Sequence, residues 1–102
     1  MAVLSIDFEK AYRQARTLAG SGEEMLQLAG RLNDIASEVR RSWRGETAAA
    51  YLRKIESFDK VLRAGAGKCR DDAAAFRAKI DAIKAAEEAA RLAMEEEKNA
   101  RV

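Results

Sequence analysis

The chain has no proline and no histidine, one cysteine, one tryptophan and six glycines among its 102 residues. Without proline, nothing imposes a helix kink or stop. Without histidine, the commonest general base and metal ligand is missing. Cys69 has no second cysteine to pair with, so no internal disulfide staples the fold. An excess of one charge is also lacking. The 19 basic and 17 acidic side chains leave a net charge of +2, too even a balance for the dense basic face that nucleic-acid binding needs. No apolar run approaches the roughly 18 residues of a membrane-crossing helix, so no direct membrane insertion is expected. The opening MAVLSIDFEK is interrupted by Asp7 and Glu9 and has no basic start, so a cleaved secretory signal is not expected either.

What remains is rich in alanine, leucine, glutamate, lysine and arginine, the composition of long helices or a coiled coil. The apolar residues repeat every seven. Leu4, Ala11, Leu18, Met25, Leu32 and Val39 form one column, flanked by Phe8, Ala15, Ala29, Ala36 and Trp43. A second column runs through Ala48, Ile55, Leu62, Cys69, Phe76, Ile83 and Ala90, widened by Tyr51, Leu52, Phe58, Ala66, Ala73 and Ile80. This period belongs to helical stripes and not to strands. The pattern predicts an all-α chain with two helices, about 5–42 and about 46–95, in a single domain spanning 1–102.

Gly45 lies between the two stripes, where a left-handed glycine could close the first helix. Arg40 and Arg41 end that helix and Glu46 opens the next, each suiting the local helix dipole. So short a connection makes an antiparallel hairpin. Two stripes this wide cannot both be covered within one hairpin, so the chain is expected to dimerise into a four-helix bundle. Its core seam would comprise Leu18, Met25, Leu32, Val39, Ile55, Leu62, Cys69, Phe76 and Ile83. The clusters AGSGEE (residues 19–24) and AGAGK (residues 64–68) keep the heptad phase, and antiparallel counting brings Gly22 near Gly67. They are read as one waist of close approach. Helix 1 runs out opposite about residue 84, leaving residues 84–102 as a tail that is frayed, disordered or ordered by something else.

No catalytic residues, metal or cofactor are expected. Cys69 stands in an apolar column, where a thiol behaves as a small hydrophobe. The acidic pairs lie on exposed helix faces without a cleft, and the glycine pairs follow no strand and fit no phosphate loop. Arg40, Arg41, Arg44, Arg53 and Lys54 gather near the turn, either as a docking patch for an acidic partner or simply as dipole complement and solvated tip. Trp43, as the last flank residue, could plug the bundle end.

The sequence Trp43-Arg44-Gly45, at the central turn of an all-helical chain of about a hundred residues, resembles the WXG family of ESAT-6-like proteins. The resemblance covers nearly the whole chain in length, heptad pattern and motif placement. It implies a helical hairpin that pairs head-to-tail, as a homodimer or heterodimer, and leaves the bacterial cytoplasm through a type VII secretion system without a cleaved signal. In that family a Tyr-x-x-x-Asp/Glu motif after the second helix, brought near the partner's Trp-x-Gly, forms an export signal read by the system's membrane ATPase. Here the matching place holds Ile83-Lys84-Ala85-Ala86-Glu87, with the acid kept and isoleucine for tyrosine.

The expected function is therefore non-enzymatic: a secreted ESAT-6-like dimer. Trp43, Arg44 and Gly45 would form one half of its export determinant, and Ile83 with Glu87 a degenerate second half. One alternative is a targeting partner that carries the helical N-terminal domain of a larger LXG-type toxin to the secretion machinery. Another is a cytoplasmic coiled-coil scaffold with no link to export.

Overall fold

The computed structural model describes residues 6–101, so Leu4 of the first heptad column lies outside the described residues. Two helices account for nearly all of them: α1, Phe8–Ser42, and α2, Glu46–Ala100. α1 begins where Asp7 caps it, the carboxylate Oδ1 accepting from the Lys10 N–H at 3.0 Å. That cap satisfies one of the unpaired first-turn donors and explains a start three residues later than the periodicity suggests. α2 passes the expected end near residue 95 and continues to Ala100.

The helices lie antiparallel in a rod measuring 86 × 19 × 16 Å. At 1.5 Å per residue α2 alone accounts for about 80 Å of that length. Tyr12 meets Asp81, so α1 runs out near residue 84 of α2, as counted from the turn. The segment from there to Ala100 is helical, exposed along its length and without a neighbouring helix. It forms an arm about 24 Å long.

The seam between the helices is made mostly of small residues. Ala15, Gly22, Ala29 and Ala36 from α1 are buried against Ala48, Ile55, Ala66, Ala73 and Ile80 from α2, with Val39 near the turn. The column expected to form the seam stands beside this line. Leu18, Met25, Leu32, Leu62 and Cys69 are half-buried, Phe76 and Ile83 are exposed, and only Val39 and Ile55 of that set are buried. The physical reason is distance. A column of alanine and glycine lets two backbones approach closely, and the bulkier column then straddles the contact instead of filling it.

Gly22 marks the closest approach. A Cβ there would meet the Ala66 carbonyl oxygen at 3.0 Å and Cys69 Cβ at 3.3 Å. Gly65 faces the Met25 sulfur, 3.1 Å from where its Cβ would sit. The expected waist is real at these two glycines but not at the others, since Gly20 and Gly67 face open space. Neither cluster breaks its helix. Within the first, Ser21 donates back to the Thr17 carbonyl at 3.2 Å.

Candidate functional site

At the turn, Trp43 leaves α1 in an extended conformation (φ −111°, ψ 152°) while its N–H still donates to the Val39 carbonyl at 2.9 Å. Arg44 folds back over the helix end, its Nη1 donating to the carbonyls of Arg40 (2.8 Å) and Trp43 (2.9 Å). A guanidinium thus satisfies orphan carbonyls where the helix dipole is negative. Gly45 has φ 88° and ψ −166°, a region open essentially to glycine alone. It is the N-cap of α2, its carbonyl accepting from Ala49, and not the left-handed cap of α1 that the sequence suggested.

Because Trp43 is extended, its ring leaves the seam line of Ala15, Gly22, Ala29 and Ala36. It does not plug the bundle end. It stays 45% exposed and packs edge-on against Tyr51, centroids 5.3 Å apart at 73°. Of the basic residues near the turn, Arg41 pairs with Glu38 at 2.8 Å and Arg44 is engaged as above. Among the described residues, Arg40, Arg53 and Lys54 have no ion-pair partner within 4.0 Å.

The second suspected half-site lies at the far end. Ile83 and Glu87 are one helical turn apart on an exposed stretch of α2. They stand about 60 Å along α2 from the turn, at 1.5 Å per residue. One chain therefore keeps Trp43 and Glu87 at opposite ends, and only a second molecule could unite them.

Between these ends the hairpin has two unlike faces. On one, Glu23 is ion-paired with Arg70, and the Tyr12 hydroxyl donates to Asp81. Arg77 and Lys84 sit over the Tyr12 ring, 5.5 and 5.8 Å from its centroid. The hydrogen bond to Asp81, with burial and the Asp81 charge, raises the Tyr12 pKa above the ordinary tyrosine value, partly opposed by Arg77.

The other face is set by the Met25–Gly65 contact. Heptad repetition places Leu18 and Leu32 beside Met25, and Tyr51 and Phe58 beside Gly65. One turn on from Met25 and Leu32 stand Leu28 and Ile35, both exposed, as are Tyr51 and Phe58. The sequence reading placed Phe58 in the widened stripe but overlooked Val61, which at 67% is more exposed than any of these. An apolar residue three positions from Phe58 and off both seam columns was the available signal.

Among the described residues no cluster of three or more His, Cys, Asp or Glu side chains could hold a metal, and no helix is long and apolar enough to cross a membrane. No family model, characterised protein or solved structure matches the chain.

Proposed function

We propose that this protein is a non-enzymatic helical-hairpin protein of the ESAT-6-like kind, exported by a type VII secretion system as a dimer. The observation that carries the reading is the turn. Trp43 is held half-exposed by an extended backbone and by Tyr51, beside a glycine whose conformation the connection requires. Off the seam and at the tip of the rod, its ring stands where a second molecule can reach it.

The open face supports the dimer. Tightly packed alanines bury little apolar area per residue, while Leu28, Ile35, Tyr51 and Phe58 remain wet. At about 25 cal/mol per Å² of apolar surface, covering them with another hairpin stabilises the pair more than any rearrangement within one chain. Trp43, Arg44 and Gly45 then serve as one half of the export determinant recognised by the secretion ATPase, with Ile83 and Glu87 of the other chain as the second.

Isoleucine at position 83, where tyrosine would complete that second half, favours one further reading: a targeting partner for the helical domain of a larger toxin, with the toxin supplying the missing motif.

The test is export to the culture medium with and without the secretion ATPase. Trp43→Ala should abolish export while circular dichroism and dimer mass stay as in the wild type. Wild-type protein retained in cells under both conditions would sink both readings. Loss of helicity in Trp43→Ala would return Trp43 to a structural role.

A further inference from the structure

We propose that Arg16, Arg70 and Arg77 form a cradle for a phosphate group on the face of the hairpin that carries Tyr12 and Glu23. The dimer proposed above uses the opposite face, so this site does not rest on it.

A hollow of about 240 Å³ opens there, with the three arginines around it and Ala15, Ala19 and Ala73 beneath. Arg70 and Arg77 are two turns apart on α2, about 10.5 Å along its axis. Arg16 enters from α1, and the contacts Tyr12–Asp81 and Glu23–Arg70 bracket it on either side. Guanidinium groups thus reach the hollow from three directions. Ala15 and Ala73 are buried, and the close seam accounts for their size. Ala19 is only half-buried and Ala74, also at the hollow, is exposed, so the seam does not dictate theirs. Their shortness keeps the hollow open.

The charges gathered here are not balanced. Arg70 commits one nitrogen, Nη2, to Glu23, and Asp81 accepts from the Tyr12 hydroxyl. Among the described residues Arg16, Arg77 and Lys84 have no ion-pair partner within 4.0 Å. Arg77 and Lys84 sit over the Tyr12 ring, which fixes where they stand without neutralising them. Four cations thus surround two carboxylates, both already engaged, and a doubly charged anion makes up the difference. A planar carboxylate takes one guanidinium fork, whereas a tetrahedral phosphate offers oxygens to forks arriving from several sides. The spread of Arg16, Arg70 and Arg77 fits the second.

The test is a titration of the isotope-labelled full chain with inorganic phosphate, at mildly alkaline pH and constant ionic strength, followed by nuclear magnetic resonance. Saturable shifts are expected at the Nε–H groups of the three arginines and at the backbone amides of Ala15, Ala19, Ala73 and Ala74. Arg16→Gln and Arg77→Gln should each weaken binding about fivefold, the scale of one exposed charge contact. Ala74→Leu, which changes no charge, should weaken it by filling the hollow. Arg53→Gln, at an unpaired arginine near the turn, should leave it as in the wild type. Vesicles of phosphatidylcholine containing phosphatidic acid separate two sources of the group. Cosedimentation that Arg16→Gln abolishes assigns a lipid headgroup, and binding of free phosphate without cosedimentation assigns a soluble one. Shifts that chloride reproduces, or equal weakening by Arg53→Gln and Arg16→Gln, would reduce the site to a general attraction of anions and overturn the proposal. Unchanged affinity in Arg16→Gln and Arg77→Gln would overturn it as well.

Discussion

The face of the hairpin that carries Tyr12 and Glu23 is finished within one chain, whereas the face that carries Met25 and Phe58 is not. On the first, long polar side chains reach across the seam and meet partners: Tyr12 with Asp81, Glu23 with Arg70. On the second, Met25 touches Gly65, but Leu28, Ile35, Tyr51 and Phe58 end in water. The difference shows that the same alanine seam closes one side and opens the other. Close approach lets short polar reaches complete themselves, and it pushes bulky apolar residues outward, where only another body can cover them.

The largest expected break of this contrast is at the seam itself. Ala29 is fully buried, and Ala29→Leu should cost about 2–3 kcal/mol by overpacking, read as a lower urea midpoint. An unchanged midpoint would mean that the helices are not held as closely as the seam requires. On the open face the expected effect is on association instead. Phe58→Asp should leave helicity intact and weaken self-association by roughly 30-fold, the loss of most of one buried aromatic side chain, measured by sedimentation equilibrium. Equal dimer strength in this variant would show that the open face is not where copies meet.

Glycine substitutions sharpen the comparison on a finer scale. Gly20→Ala and Gly67→Ala, each with open space at the new Cβ, should each stabilise by about 0.5–1 kcal/mol through helix propensity. Gly22→Ala places its Cβ 3.0 Å from the Ala66 carbonyl oxygen, so it should lose that gain or become destabilising. Thermal melts of the three variants give the sign directly.

The smallest effect belongs to the closed face. Tyr12→Phe removes the bond to Asp81 and should lower the melting temperature slightly at neutral pH. Because the folded-state pKa of Tyr12 is raised, the stabilisation is present below the ordinary tyrosine value. It is lost as pH rises through the folded-state value. The difference between variant and wild type should therefore vanish in strong alkali. A difference that persists there would assign the effect to packing of the ring.

Much of this was legible from residue order alone, for reasons that are local. The absence of proline and the seven-residue repeat suffice for two long helices, and α1 ends at Ser42 and α2 begins at Glu46 as the pattern implied. Counting rise from the turn placed the end of α1 opposite residue 84. The turn was legible as a place but not as a conformation. Gly45 was read as the close of one helix and proves to be the start of the next, because Arg44 already caps the first from its side chain. Trp43 was counted into the flank column; its extended backbone takes it out, and no periodicity reports a residue that has left the helix.

The sequence by itself determined that the chain is two helices joined at residues 43–45, with mixed charge and more apolar surface than one hairpin can hide. These follow from backbone propensity and period, which act between near neighbours. Only the tertiary structure decided which column is the seam. Leucine and methionine are the more hydrophobic residues, yet alanine and glycine, joined by Val39, Ile55 and Ile80, hold the centre, because small residues let the two backbones approach closely. Burial in this protein is thus set by the size of the residues facing the partner helix, and their hydrophobicity decides what the exposed ones will seek.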